Sequence, residues 1–167
     1  SPALWGHTAV SFHRSVIVFG GVDVMENVES GSLAVWHTEK KQWRWSDFPD
    51  FDHRCAMHTA VEENGRMFVF GGVSFRTNAK LRNLWEFSLE YGQWRELHPS
   101  GSPPLGRIGH SMVAYNGCVF VIGGTAEDPS DPGTGMSGGR AERVAYVYNI
   151  ALNEWRACAL ASTAPRA

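Results

Sequence analysis

The chain has 167 residues, which is enough for one domain with a sizeable core. Charged residues make up 19% of it and the formal net charge is −2, which excludes a strongly basic nucleic-acid surface and a disordered, highly charged chain. No apolar run approaches the roughly 18–20 residues of a membrane-spanning helix, so we expect no membrane insertion.

Residues 1–50 predict four short strands in succession. The first follows His7 as "TAVSFH", and the second is the apolar run "SVIVF", which stops at Gly20-Gly21. The third and fourth strands, "GSLAVWH" and "KQWRWSD", come next. Helical periodicity is absent and glycine and proline fill the gaps, so we expect an antiparallel sheet.

Residues 51–103 repeat that order. "TAVEEN" and "RMFVF" come first, and Asn64-Gly65 between them favours a type I′ hairpin turn, in which both central residues need φ > 0. "RNLWEFS" and "GQWRELH" supply the third and fourth strands. Residues 104–164 follow the same order once more, with a loop insertion at 127–142 before the third strand "VAYVYN". We therefore expect three units of four strands within one domain.

Four markers recur in fixed order in the three units. A histidine stands thirteen residues before a glycine pair, and an aromatic residue stands seven residues before a late tryptophan. The glycine pairs are 51 and 52 residues apart. The markers are His7, Gly20, Gly21, Trp36 and Trp43; His58, Gly71, Gly72, Phe87 and Trp94; and His110, Gly123, Gly124, Tyr148 and Trp155. Agreement at so many spaced positions predicts an internal repeat of about 50 residues.

A period near 50 residues, with four strands, Gly-Gly and a late Trp in each unit, resembles the kelch-repeat family. The resemblance covers essentially the whole chain, and "LWEFSLEYGQWRELHPSGSPPLGRIGHSMVAYNG" is similar to intracellular kelch proteins that act as adaptors or effectors. It implies an all-β fold, a kelch β-propeller segment of three four-stranded antiparallel blades, one for each unit. Pro165-Arg166 resembles the lead-in Pro104 and Arg107 of the third unit, so we expect the blades to belong to a larger propeller.

The glycine pair has a physical role in such a blade. The second strand lies inside, with both faces covered, which explains its continuous apolar run. Glycine lacks a Cβ, so it adopts φ > 0 and lets a neighbouring backbone or ring come close. In the family, the late tryptophan and the aromatic residue before it pack between adjacent blades. Trp43, Trp94 and Trp155 are therefore expected at equivalent inter-blade positions.

Three kinds of segment suggest chemistry, and each also has a structural interpretation. "HRCAMH" brings His53, Cys55 and His58 together, but His58 is the repeat histidine and a zinc site needs four ligands at recognised spacings. The acidic segments "DFPDFD" and "TAEDPSD" are typical of solvated loops. The glycine-rich "GTGMSGGR" neither follows a strand nor opens a helix, as a phosphate-binding loop does. We expect no catalytic residue, no metal and no cofactor.

Geometry selects one face of the blades for binding. In a four-stranded meander, the long loops between the second and third strands share a face with the connections between blades. Long, varied loops on a rigid scaffold are where binding usually takes place. The residues expected to bind a partner there are Arg54, Phe75, Arg76, Lys80, Arg82 and Arg107. The first loop carries Asp23, Glu26 and Glu29, so this face has mixed charge. If the partner segment is acidic, Arg76, Lys80, Arg82 and Arg107 are expected to attract it, since the planar fork of arginine suits carboxylates.

These observations predict a protein-interaction module, a kelch segment of an adaptor, scaffold or substrate-recruiting protein that binds a protein or peptide. The alternative is a fragment of a kelch-type enzyme or sugar-binding propeller, similar to copper radical oxidases or sugar mutarotases. Three distant cysteines, odd in number, favour a reducing, cytoplasmic setting. Three blades span about half of a six-bladed ring, so the pattern also allows two copies to close head to tail as a homodimer.

Overall fold

The computed structural model describes residues 3–48, 51–128, 130 and 139–159. The regular elements in these ranges are β-strands, and each repeat forms its own antiparallel sheet. The predicted all-β fold with four-stranded blades is thereby confirmed. No helix in the described ranges is long and apolar enough to cross a membrane.

Blade 1 contains a four-stranded sheet and a smaller one. Its strands are β1 (Leu4–Trp5), β2 (Thr8–Phe12), β3 (Ser15–Phe19), β4 (Val22–Asp23), β5 (Val28–Glu29), β6 (Leu33–His37) and β7 (Gln42–Ser46). The strands β2, β3, β6 and β7 pair in that order as a meander. The strands β1, β4 and β5 form the smaller sheet, which lies beyond the glycine pair.

Blade 2 has the same plan. Its strands are β8 (Thr59–Glu63), β9 (Arg66–Phe70), β10 (Val73–Ser74), β11 (Ala79–Lys80), β12 (Leu84–Ser88) and β13 (Gln93–Leu97). The strands β8, β9, β12 and β13 form the meander, and β10 pairs with β11 beyond it. Asn64 and Gly65 both have positive φ, 53° and 74°, as the hairpin turn predicted between β8 and β9 requires.

Blade 3 has longer inner strands and one added edge strand. Its strands are β14 (Ser100–Gly101), β15 (Arg107–Tyr115), β16 (Cys118–Ala126), β17 (Arg140–Ala141), β18 (Val144–Asn149) and β19 (Glu154–Ala159). β14 pairs in parallel with the outer strand β19, so a segment that the repeat assigns to the second unit hydrogen-bonds to the third. Gly101 permits this approach, because a Cβ there would lie 2.1 Å from the carbonyl oxygen of Trp155.

The hydrophobic core lies between blades. On β9, Met67 and Val69 pack toward blade 1, and Phe68 and Phe70 pack toward blade 3; all four are fully buried. The expectation that the second strand is covered on both faces is confirmed. The innermost strand β8 contacts both β2 and β15, so the first strands of the blades lie side by side.

Aromatic packing joins each blade to the one before it. The ring centroid of Trp94 lies 4.8 Å from that of Phe19, and the centroid of Trp155 lies 5.6 Å from that of Phe70. Phe19 and Phe70 directly precede the glycine pairs of blades 1 and 2, and neither is exposed. Trp94 and Trp155 thus make corresponding ring contacts with the preceding blade, although Trp94 is half-buried and Trp155 is buried.

Trp43 has the same strand position in blade 1 but different surroundings. It lies opposite Trp36 across β6 and β7, with ring centroids 5.4 Å apart. Trp43 and Trp94 are both half-buried, whereas Trp155 is 2% exposed. Trp43 therefore shares the strand register of the other two tryptophans, but among the described residues its ring contact lies within its own blade.

A histidine from the following blade completes each contact, which we call the blade joint. Nε2 of His58 lies 2.9 Å from Oγ1 of Thr8, and Nε2 of His110 lies 2.5 Å from Oγ1 of Thr59. A Cβ on Gly20 would lie 2.6 Å from the His58 ring. The close approach expected at the glycine pair is thus made by the repeat histidine of the next blade.

Candidate functional site

The candidate site lies on the surface formed by the small sheets, which we call the loop face. It comprises β1, the hairpin 22–29 of blade 1, the hairpin 73–80 of blade 2 and the connections between blades. The sequence predicted long loops for the segments that form the two hairpins. The structure shows instead short strand pairs with a four-residue turn, so most of this face is ordered backbone.

The two hairpins are copies of each other. Asn27 and Asn78 stand at the same place in their turns and have φ of 54° and 51°. Asparagine tolerates this left-handed conformation better than most residues, since its short side chain hydrogen-bonds locally. Each turn leaves apolar side chains exposed, with Met25 81% exposed and Phe75 38% exposed.

An aromatic cleft lies between the hairpins. The rings of Trp5 and Phe75 meet edge to face, with centroids 5.6 Å apart. A cavity of about 280 Å³ adjoins them. Its lining residues are Trp5, Val22, Asn27, Val28, Glu29, Phe75 and Arg76, and we call it the Trp5–Phe75 cleft. It combines exposed rings with a guanidinium and a carboxylate, a mixture suited to a peptide.

Equivalent positions of the two hairpins carry opposite charges. Glu29 in β5 is 9% exposed, and its Oε1 accepts a 2.7 Å hydrogen bond from the N–H of Phe75 in the next blade. Lys80 in β11 is 6% exposed, and a Cβ on Gly139 would lie 3.0 Å from its Nζ. Both side chains pack against the next blade. Because the Lys80 ammonium is buried, it is unsuited to the partner contact that the sequence suggested.

Three other residues of the predicted partner-binding set are exposed cations. Arg54 and Arg76 both approach Asp52, with N–O distances of 3.5 Å and 3.9 Å. Arg82 is also exposed. Exposed pairs of this kind contribute little to stability, so these side chains can reorient toward a partner.

Arg107 lies inside the protein and not on the loop face. Its side chain is entirely buried, and its Nη2 donates a 2.7 Å hydrogen bond to Oε2 of Glu142. Nη1 donates to the carbonyl of Gly123 at 3.1 Å, and the guanidinium lies 4.9 Å from the Tyr146 ring centroid. The expectation that Arg107 binds a partner does not fit this burial, because its guanidinium already contacts Glu142, Gly123 and Tyr146.

Glu142 shows how the pair is held. Burial by itself would raise the pKa of this carboxyl, but hydrogen bonds from Arg107 and Tyr146 outweigh it and the pKa is lowered. The central part of the expected insertion, residues 129 and 131–138, lies outside the described residues. Its far end returns to blade 3 as β17, where Arg140 lies opposite Ala126.

The segment "HRCAMH" is part of the joint between blades 1 and 2. Sγ of Cys55 lies 3.3 Å from Nδ1 of His58, and burial raises the pKa of the thiol. Burial, with a smaller contribution from His53, lowers the pKa of His58 to about 3. In the described ranges, no group of three or more His, Cys, Asp or Glu side chains is placed to hold a metal ion.

Sequence reasoning missed Trp5 and Val28 as parts of the site. Trp5 stands two residues before the repeat histidine, where the other units have Ala56 and Ile108. The signal available in the sequence was a tryptophan at a repeat position that holds alanine and isoleucine in the other two units.

Four-stranded antiparallel blades, packed side by side with their first strands adjacent, define a segment of a β-propeller. Residues 6–167 match the KLHDC2/KLHL20/DRC7 Kelch-repeats domain. The chain therefore belongs to the kelch-repeat family, as the spaced markers indicated.

Curated relatives share the repeats over a small part of their length. The Rho GTPase-activating protein gacHH of Dictyostelium discoideum is 26% identical over 157 residues, which are 92% of this chain and 10% of that protein. Host cell factor of Drosophila melanogaster is 33% identical over 132 residues, 76% of this chain and 8% of the relative. Human Kelch domain-containing protein 3 is 25% identical over 141 residues, 78% of this chain and 37% of the relative. The chain thus spans from under a tenth to just over a third of these proteins.

Proposed function

We propose that this chain is a protein-interaction module that binds a peptide or protein segment across the loop face, as part of an adaptor, scaffold or substrate-recruiting protein. The observation that carries the proposal is the gathering of exposed apolar side chains at the Trp5–Phe75 cleft. Trp5 is 42% exposed and Val28 is 50% exposed beside it. Contiguous exposed apolar surface of this kind marks interaction sites.

The proposed contact surface combines apolar and cationic side chains on the two hairpins and their surroundings. Its members are Trp5, Met25, Val28, Arg54, Phe75, Arg76 and Arg82. Aromatic residues, methionine and arginine are the types enriched at protein interfaces. Lys80 and Arg107 are left out because both are buried.

Binding, and not catalysis, is supported by the places of the four strongly perturbed groups. His58 and His110 contact threonines in the blade joints, and Cys55 is buried against His58. The fourth, His53, lies against the rings of Phe51 and Trp85. Perturbed groups indicate catalysis when they converge in a cleft, whereas the first three of these hold blades together and His53 packs among aromatic rings. An intracellular setting belongs to the same proposal and is supported by the three free thiols.

For the 167-residue chain by itself, the proposal includes head-to-tail closure with a second copy. Ile122 occupies the position of Phe19 and Phe70 before the third glycine pair, yet it is 44% exposed. A Cβ on Gly123 would have no neighbour within 4 Å, whereas the equivalent glycines face a histidine. Blade 3 thus offers one half of a blade joint, and Trp43 of blade 1 belongs to the other half.

The binding proposal is tested by selection from a library of random 12-residue peptides displayed on phage, with the immobilised chain as bait. Selected peptides are then synthesised and titrated against Trp5→Ala, Phe75→Ala and Tyr91→Ala variants. Tyr91 is the matched control, because it is 74% exposed and lies at the turn between β12 and β13, on the opposite face. We expect at least tenfold weaker binding for the first two variants and no change for the third. The reverse pattern would contradict the proposal.

A further inference from the structure

The blade 1 half of the loop face carries a second cavity, of about 740 Å³. Its charged lining consists of five carboxylates and one guanidinium, those of Asp23, Glu26, Glu29, Asp47, Asp52 and Arg54. The indole of Trp45, 52% exposed, lines the same space. We call this the acidic cavity.

The negative charge of the acidic cavity is only partly compensated. Asp52 is approached by both Arg54 and Arg76. Within the described part of the chain, no lysine or arginine forms an ion pair with Asp23, Glu26 or Asp47. The cavity therefore keeps an excess of negative charge.

Local hydrogen bonds orient two of these carboxylates. Oδ1 of Asp23 accepts from the N–H of Met25 at 2.8 Å, and Oδ1 of Asp47 accepts from the hydroxyl of Ser32 at 2.6 Å. Fixed carboxylates lose less conformational entropy on binding a cation than free ones do.

The acidic cavity continues into the Trp5–Phe75 cleft. Val28 and Glu29 of β5 line both, so the two spaces lie on either side of one short strand. A peptide crossing β5 would place one side chain in each space. The Trp5–Phe75 cleft and the acidic cavity therefore form one continuous surface.

We propose that the acidic cavity receives the guanidinium or ammonium group of an Arg or Lys side chain of the partner, while a neighbouring apolar side chain of the same segment enters the Trp5–Phe75 cleft. Carboxylates form charge-assisted hydrogen bonds with such groups, and the face of Trp45 attracts a cation through its ring quadrupole. The proposal rests on the proposed function and adds the chemistry of the partner.

This assignment reverses the charge of the partner that the sequence suggested. The acidic-partner expectation relied on four cations, of which Lys80 and Arg107 are buried and Arg76 already faces Asp52. Replacing Arg76 by glutamate would remove a competitor of the incoming cation. A basic ligand should then bind more tightly, whereas an acidic ligand would bind more weakly.

A direct test uses N-acetyl-arginine amide as the probe and the uncharged isostere N-acetyl-citrulline amide as its control. The readout is the indole N–H signal of Trp45 in the ¹⁵N-labelled chain, identified with Trp45→Phe. We expect a saturable shift with the arginine probe only. The affinity of this probe should fall roughly fivefold in the double variant Asp23→Asn/Glu26→Gln, where about 1 kcal/mol of charge attraction is lost. Asn at position 23 keeps the acceptor for the turn, and Glu90→Gln on the opposite face is the matched control.

The outcomes separate this inference from the proposed function. Equal shifts with both probes, or no saturable shift, would overturn the basic-group assignment, regardless of how the phage-selected peptides bind. Selected peptides that depend on Phe75, carry acidic residues and lose affinity in Arg76→Glu would likewise overturn it and leave the proposed function standing. Peptides that depend on Phe75, lose at least fivefold when their Arg or Lys becomes norleucine, and gain affinity in Arg76→Glu would support both.

Discussion

Nε2 of His58 in blade 2 lies 2.9 Å from Oγ1 of Thr8 in blade 1, and the same contact recurs one repeat later between His110 and Thr59. Each histidine also lies against the first glycine of the preceding blade, where a Cβ would lie 2.6 Å or 2.8 Å from the ring. The marker histidine and the marker glycine, although they stand far apart in the sequence, are thus two sides of one joint.

The buried histidines make stability depend on pH. Burial lowers the pKa of His58 to about 3 and that of His110 to about 4, against an ordinary value of 6.5. The unfolded chain therefore binds protons first, so the stabilisation is complete above pH 6.5 and is lost as pH falls below it. By pH 5 we expect a loss of about 2 kcal/mol for each histidine, measured as the free energy of unfolding in urea.

The pH prediction has an internal control. His110→Gln removes one of three such titrating groups, since burial also lowers the pKa of His53 to about 4, and should flatten the dependence between pH 7.5 and pH 5 by about a third. His13→Gln, at an exposed turn, should leave the dependence unchanged. A wild-type chain equally stable at both pH values would contradict the account of the joints.

The tryptophans should differ in their contribution to stability. Trp155 is 2% exposed and packs on Phe70, so Trp155→Ala should lower the free energy of unfolding by about 3–5 kcal/mol. Trp94→Ala should act similarly through Phe19. Measured below the concentration at which copies associate, Trp43→Ala should cost about 1 kcal/mol, because the ring contact of its indole is with Trp36 of the same blade. Equal losses for all three in urea titrations would show that Trp43 is covered by something else.

The buried pair Arg107–Glu142 should be strongly coupled. Arg107→Met leaves the Glu142 carboxylate buried with fewer donors, so we expect a loss of about 3–5 kcal/mol, and a similar loss for Glu142→Leu. The double variant should lose clearly less than the sum. Glu39→Gln breaks the exposed pair with Arg14 and should cost about 1 kcal/mol at most. Additive losses would mean that the buried ions act independently.

Closure with a second copy predicts a defined mass. Light scattering at micromolar concentration should give twice the 18.5 kDa of one chain, and Ile122→Glu should return the mass to that of a monomer. Tyr115→Glu changes an exposed residue at the end of β15 and serves as the control. A wild-type mass near 18.5 kDa would rule the closed dimer out.

Much of the blade architecture could be predicted from the sequence because it depends on local patterns. The apolar run before Gly71 and the turn at Asn64-Gly65 each fix a strand end within a few residues. The position of Trp155 relative to Tyr148 fixes a cross-strand register, and the structure has these two residues directly opposite. Such features follow from side-chain alternation and backbone sterics, so one sequence is enough to find them.

Whether an individual charged side chain is buried or exposed could not be predicted in the same way. Arg107 is neutralised by Glu142, which stands 35 residues later, at the far end of the insertion. Glu29 and Lys80 share one repeat position, and both are buried against the next blade despite their opposite charges. Whether a charged side chain lies at the surface depends on partners that only the folded chain brings near, so the predicted partner-binding set contained both exposed and buried cations.

The most direct test of the loop face as the binding surface is site-specific crosslinking to a phage-selected peptide. A photoreactive benzoyl-phenylalanine is placed at Phe75 in one variant and at Tyr91 in another, since both positions are exposed and lie on opposite faces. We expect mass spectrometry to find the peptide attached to the chain with the probe at position 75 and not to the chain with the probe at position 91. Attachment only at position 91 would contradict the central claim.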